Sequence, residues 1–159
     1  MAVFRVCKRF TVESGHMLTG HPERCRFPHG HTRTIEVVIR GERLDANGMV
    51  LDFKALKRAV KPIVEQFDHS LAVHRDEPLL PELERLYPEG VLVFEEPPTT
   101  EVIARYLFLA ISEVLRDGFE GPHGEDGRPL YRIEPGQAVL ERVRVWETPS
   151  SWAEYALDE

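Results

Sequence analysis

Thr34-Ile35-Glu36-Val37-Val38-Ile39-Arg40 is the stretch on which the fold turns. Ile35, Val37 and Ile39 fall on one side and Glu36 and Arg40 on the other. That two-residue period belongs to a strand with one face in a core and one in water. Upstream, Phe4, Val6, Phe10 and Val12 share a face opposite Arg5, Cys7, Arg9 and Thr11. Downstream, Val139, Glu141, Val143 and Val145 mark a third alternating run that ends at Glu147.

Two segments follow a different period. Asp52 stands at an N-cap position ahead of Phe53, Leu56, Val60, Ile63, Val64 and Phe67, whose spacings of three and four predict an amphipathic helix. Pro62 lies inside it and predicts a kink or an early end. Thr99 or Thr100 caps a second helix, with Val102, Ile103, Tyr106, Leu107, Ala110, Ile111, Val114 and Leu115 as its apolar face. Leu44-Asp45-Ala46 and the Asn47-Gly48 turn signal read as a loop. Residues 75–98 read as a surface loop with one short strand from Val91 to Glu95, and 117–137 as an irregular excursion. Strand-to-strand links outnumber βαβ links, so the expected class is α+β, an antiparallel sheet with both helices on one face.

The 159 residues suit one domain, taken here as 1–159, and 42% hydrophobic with 30% charged residues is ordinary globular composition. No apolar run reaches the roughly 18 residues of a membrane span. The alternating N-terminus does not resemble a signal peptide, and a cytoplasmic protein without membrane partners is expected. With 20 Lys and Arg against 27 Asp and Glu the net charge is −7, which repels a phosphate backbone and argues against nucleic-acid binding as the main task. Two cysteines, Cys7 and Cys25, are too few for a disulfide scaffold.

The chemistry-bearing signal is densest at Cys25-Arg-Phe-Pro-His29-Gly30-His31. If His29 and His31 begin a strand, both rings point to one face, which suits two imidazoles on one metal. His16, after the first strand, can come from a neighbouring strand as a third. Three neutral imidazoles with no further protein ligand describe a catalytic zinc site with an open position. The plain alternative is a pair of half-exposed histidines. Cys25 is a fourth ligand, a thiolate base or nucleophile beside the metal, or a small core residue, and spacing does not choose among the three.

Asp68-His69 forms a proton shuttle if the carboxylate touches the ring, and otherwise a solvated helix end. Glu147 can accept two parallel hydrogen bonds from an N–C–N edge such as a 2-amino-pyrimidinone, or is an exposed strand-end carboxylate. Thr99-Thr100-Glu101 is explained by capping alone. His21, His74 and His123 read as loop residues on the surface.

Together these segments resemble the 6-pyruvoyltetrahydropterin synthase and 6-carboxytetrahydropterin synthase family. The resemblance rests on Phe10-Thr-Val-Glu-Ser-Gly-His16, Cys25-x-x-x-His29-Gly-His31, Gly48-Met-Val-Leu-Asp52-Phe53, Phe67-Asp68-His69, Pro98-Thr-Thr-Glu101, and Glu147-Thr148 with Ala153-x-Tyr155. Six short motifs in the family's order, over residues 4–155, are far more specific than any one of them.

The resemblance implies a tunnelling fold, in which each subunit has a four-stranded antiparallel sheet and two helices. Three subunits close their sheets into a barrel, two trimers can stack into a homohexamer, and active sites lie between subunits. It implies His16, His29 and His31 as zinc ligands, Cys25 with Asp68 and His69 as the catalytic group, and Glu147 with Thr99, Thr100 and Glu101 as the pterin pocket. The implied enzyme is a lyase acting on 7,8-dihydroneopterin triphosphate. One branch forms 6-pyruvoyltetrahydropterin by losing triphosphate. The other also cleaves the side chain, releasing acetaldehyde and 6-carboxy-5,6,7,8-tetrahydropterin for queuosine and other deazapurines. The short Cys-x3-His-Gly-His spacing resembles the 6-carboxy branch. A non-catalytic zinc- or pterin-binding module on the same fold is the alternative of another class. The chain departs from the family at Leu71-Ala72, where many members have Leu-Asn, and in the stretches 74–98 and 117–137.

Overall fold

The computed structural model describes residues 2–158. The chain runs β1 (Phe4–His16), a 3-10 turn (Arg24–Arg26), β2 (His29–Gly41), α1 (Phe53–Glu65), β3 (Ser70–His74), α2 (Leu80–Leu86), β4 (Val91–Phe94), α3 (Thr100–Asp117), β5 (Phe119–Glu120), β6 (Arg132–Ile133), β7 (Val139–Thr148) and β8 (Ser151–Ala156). The main sheet has six strands in the order β4-β3-β1-β2-β7-β8, and β5 pairs with β6 in a separate two-stranded sheet.

The α+β class holds, but the sheet is neither four-stranded nor wholly antiparallel. The β1–β2, β2–β7 and β7–β8 pairs are antiparallel, whereas β3 runs parallel to both β1 and β4. The connections decide this. Helix α1 returns the chain to the β1 edge and α2 carries it on to β4, and such crossovers permit parallel pairing where a tight hairpin would not.

Alternation sets the core. Val12 from β1, Ile35, Val37 and Ile39 from β2 and Val143 and Val145 from β7 are buried on one face. They pack with Leu56 and Val60 of α1 and Ile103, Leu107 and Ile111 of α3. Leu107 is fully buried there, so truncation to alanine would cost about 2–5 kcal/mol.

Asp52 caps α1 as expected, its carboxylate accepting the backbone N–H groups of Lys54 and Ala55. The helix does not end at Pro62 but continues to Glu65. Thr99 caps α3 by accepting the Val102 N–H, and Gly118 ends it at φ 84°. A Cβ at Gly118 would lie 2.9 Å from the Ile133 carbonyl oxygen.

Residues 74–98 and 117–137 hold regular structure. Residues 74–98 contain α2 as well as β4. Leu80 and Leu83 of α2 pack with Met17, Leu71, Val73, Val91 and Val93, while Leu92 and Phe94 join the main core. By strand parity α2 therefore covers the opposite face of this part of the sheet. Residues 117–137 are not wholly irregular, because β5 and β6 brace the base of the excursion.

The other face of β1, β2 and β7 carries charge. Arg5 pairs with Glu141, Arg9 with Glu36, and Arg144 with Glu154. The Arg144 guanidinium also lies 3.8 Å from the centre of the Trp152 ring. No helix among the described residues is long and apolar enough to cross a membrane.

Candidate metal centre and adjoining pocket

The site is a continuation of the core layer. Along β1 the buried face runs Val12, Ser14, His16, and along β2 it runs back from Ile35 through Arg33 to His31 and His29. The antiparallel register sets His16 opposite His29 and Ser14 opposite His31. One end of an apolar face thus becomes polar with no change of backbone direction.

The three histidines offer ring nitrogens that all lie within 4.8 Å of one another. Ring centres are 4.6 Å apart for His16 and His29, 5.2 Å for His16 and His31, and 5.1 Å for His29 and His31. His16 Nδ1 donates to the Pro98 carbonyl at 2.8 Å, and His29 Nδ1 to the Phe27 carbonyl at 2.7 Å. A carbonyl oxygen only accepts, so these bonds put the proton on Nδ1 and leave Nε2 as a lone pair.

The Nε2 atoms of His16 and His31 are buried without a hydrogen-bond partner. A buried, unsatisfied nitrogen is costly, and two of them converging beside a third imidazole fit a divalent cation that prefers nitrogen donors. His16 is pushed down to about 4, chiefly by burial, and His31 is lowered for the same reason. Both rings are thereby kept neutral, the form that ligates.

Glu147, at the end of β7, meets this group from the side. Its Oε1 is 3.6 Å from His16 Nε2 and 3.7 Å from His31 Nε2. Thr100 Oγ1, on the first turn of α3, donates to the same oxygen at 2.9 Å. Burial works to raise the Glu147 carboxyl, while the Thr100 hydrogen bond and the facing Arg33 guanidinium lower it, and the net shift is below the usual carboxylate range. A cleft of about 710 Å³ opens here, with Arg9, His31, Glu36, Trp146 and Glu147 among its walls.

Asp68 and His69 lie at the entry to β3. Asp68 Oδ2 is 3.0 Å from His69 Nδ1, and Asp68 Oδ1 accepts the Glu13 N–H at 2.8 Å. His69 has φ 55°, held by its own N–H bonded to the Glu13 carbonyl at 2.7 Å. The Asp-His contact therefore exists, and the imidazole edge beyond it faces solvent. Asp68 is lowered first by the Glu13 backbone hydrogen bond and then by His69.

Cys25 is a free thiol in the 3-10 turn, half-buried, and its sulfur is not in the histidine group. Among the described residues no hydrogen bond or ion pair joins Cys25 to Asp68 or His69. The chain thus brings together His16, His29, His31, Thr100 and Glu147, and among the described residues no hydrogen bond or ion pair links Cys25 or the Asp68-His69 pair to that group. Thr99 is the cap, and Glu101 is exposed with no bond to the group. His74 is no loop residue but the last of β3, its Nε2 3.1 Å from the Glu95 carbonyl oxygen.

Arg33 and the role of the Pro98 carbonyl were missed from the sequence. Arg33 is fully buried between His16 and Thr100. Its signal was readable: a cation at an odd position on the core side of β2. Pro98 contributes only a carbonyl, which side-chain chemistry does not reveal.

A family model for 6-pyruvoyl tetrahydropterin synthase matches residues 5–158. The chain is 34% identical over 154 residues to the 6-carboxy-5,6,7,8-tetrahydropterin synthase of Rickettsia bellii, covering 96% of this chain and 99% of that one. It is 29% identical to the Haemophilus influenzae protein of the same name, again over 96% and 99% of the two chains. Among solved structures, an uncharacterized protein from Wolinella succinogenes superposes with a TM-score of 0.73 at 24% identity, covering 99% of this chain and 100% of that one. The 6-pyruvoyl tetrahydropterin synthase of Caenorhabditis elegans gives 0.65 at 20% identity, covering 99% and 98%.

Proposed function

Because the chain belongs to the 6-pyruvoyl tetrahydropterin synthase family of enzymes, we propose that it is a lyase converting 7,8-dihydroneopterin triphosphate and one water to 6-carboxy-5,6,7,8-tetrahydropterin. Triphosphate and acetaldehyde leave, and the product serves queuosine and deazapurine synthesis. The observation that carries this reading is the convergence of three imidazoles, two of them with the Nδ1 proton committed to a backbone carbonyl, beside a carboxylate that lines a cleft. The names of the curated relatives and the short Cys25-to-His29 spacing favour the 6-carboxy product.

His16, His29 and His31 would hold a zinc ion, which when bound supplies a Lewis acid toward the substrate's side-chain oxygens. The rest of the chemistry belongs to the chain. Glu147 accepts hydrogen bonds from the 2-amino-pyrimidinone edge, with Thr100 steadying the carboxylate, so the reacting carbons are held in place. The Cys25 thiolate removes a proton. Asp68 fixes the His69 ring through Nδ1, leaving Nε2 to pass protons on the other side.

No hydrogen bond or ion pair joins Cys25 to Asp68-His69 among the described residues, and in this reading neighbouring copies complete each site. A trimer-based assembly also covers the charged sheet face and pairs strand edges that β4 and β8 leave open. The test is the zinc-loaded protein with 7,8-dihydroneopterin triphosphate. Release of triphosphate and acetaldehyde together is expected. Triphosphate alone would assign the 6-pyruvoyl product, and neither product from zinc-loaded protein would make this a binding module.

A further inference from the structure

Arg33 is the largest fully buried side chain of the molecule's described residues, at 0% exposure. A guanidinium in a core layer is costly unless its donors are used. Here its surroundings are specific. Nη1 donates to Thr100 Oγ1 at 2.9 Å. Nη2 is 4.0 Å from Glu147 Oε1 and 3.3 Å from His16 Nδ1. Since His16 Nδ1 already gives its proton to Pro98, the last approach sets one donor against another and is no hydrogen bond.

The donor and acceptor inventory then fixes a direction. A guanidinium has donors only, and a carboxylate has acceptors only. Thr100 Oγ1 therefore accepts from Arg33 and has its single hydrogen free for Glu147, to which it donates at 2.9 Å. The relay runs one way, from Arg33 through Thr100 to Glu147 Oε1. Glu147 Oε2 has no protein partner among the described residues.

We propose that Arg33 is a positioning residue for the ring-anchoring carboxylate: through Thr100 it immobilises Glu147 Oε1 and leaves Oε2 aimed at the N–H edge of a pterin. This rests on the pterin reading of the site. Without Arg33 the Thr100 hydroxyl can turn, and Glu147 can lean further toward the histidines 3.6–3.7 Å away. The consequence falls on ligand binding more than on the bond-breaking step.

The test uses the full chain and compares Arg33→Met, Arg33→Lys, Thr100→Val and the double variant Arg33→Met/Thr100→Val. Neopterin binding is followed by fluorescence, turnover of 7,8-dihydroneopterin triphosphate by kcat and KM, zinc by stoichiometry, and folding by thermal melting. Arg33→Met should raise the neopterin Kd and the substrate KM roughly tenfold, with kcat changed less than about threefold. Thr100→Val should match it, and the double variant should be no worse than either, because both break one relay. Arg33→Lys, which keeps a donor, should recover binding to within about threefold of the parent. Zinc content should not change.

An unaltered Kd in Arg33→Met, or effects of Arg33 and Thr100 that multiply, would overturn the proposal. If Arg33→Met does not fold, Thr100→Val and Arg33→Lys still decide: unaltered binding in the first, or tenfold loss in the second, overturns it. A parent protein that neither binds neopterin nor turns over the substrate would instead sink the pterin reading, and this inference with it.

Discussion

His16 and Pro98 are far apart in sequence, yet the imidazole Nδ1 donates to the proline carbonyl at 2.8 Å. That bond ties the end of β1 to the entry of α3 and orients the ring so that Nε2 faces His29 and His31. The residue before the helix cap thus sets the tautomer of a candidate ligand.

Metal binding should depend on that set and on no sulfur. Replacing His16 or His31 by alanine is expected to abolish stoichiometric zinc, measured by mass spectrometry of desalted protein. Cys25→Ala should retain one zinc per chain. Loss of zinc in Cys25→Ala would make the thiol a ligand and close the site.

The metal-free protein should weaken in mild acid. His16 falls from 6.5 in its ordinary state to about 4 in the fold, so between these values the unfolded chain takes up a proton that the folded chain refuses. Stability therefore rises with pH across this window and is flat above it. The loss from pH 7 down to pH 4 is on the order of 3 kcal/mol from this ring, with His31 acting in the same direction. Urea midpoints of chelator-treated protein at pH 7 and pH 5 would show it, and His16→Ala should flatten the dependence.

Cys25 and Glu147 should fail differently. Cys25→Ala is expected to lower kcat by roughly 10²-fold or more while zinc and pterin stay bound. Glu147→Gln gives up a charged acceptor, an interaction worth roughly 1.5–3 kcal/mol, and should weaken pterin binding about 10- to 100-fold. Steady-state kinetics with binding isotherms on both variants separate the two roles. Near-normal turnover in Cys25→Ala would refute the proton-transfer role.

The quaternary state has its own measurement. Sedimentation at working concentration should give a trimer or hexamer, and Cys25→Ala mixed with His69→Ala should regain part of the activity through sites built from two copies. A monomer, or a mixture as inactive as its components, would contradict shared sites.

Much of the architecture was legible where one period persisted. Alternation over residues 34–40 and apolar spacing in α1 and α3 located the main core, and Asp52 and Thr99 marked their helices by cap chemistry. What escaped was short. β8 holds Trp152 and Tyr155 but neither face is fully buried, so its alternation is weak. α2 has seven residues with a proline at its start, too few for a helical period to show. β3 follows the first helix with no turn signal beyond His69, whose positive φ is sustained by bonds to Glu13 that only the folded sheet supplies. The histidine group was readable because two of its members share a strand, whereas the link from Arg33 to Thr100 and Glu147 joins three separate elements.

The pairing of β1 with β2 runs without interruption to its last pair, His16 with His29. These two candidate ligands close the most extensively paired ladder of the sheet, and their amides should exchange with solvent deuterium more slowly than those of the connections. Cys25 sits in a three-residue turn and Asp68-His69 at a connection, where local opening exposes amides far sooner. The histidine group is therefore seated on the sheet ladder, whereas Cys25 and Asp68-His69 lie on segments able to yield. Movement of those segments would leave the spacing of the imidazoles unchanged.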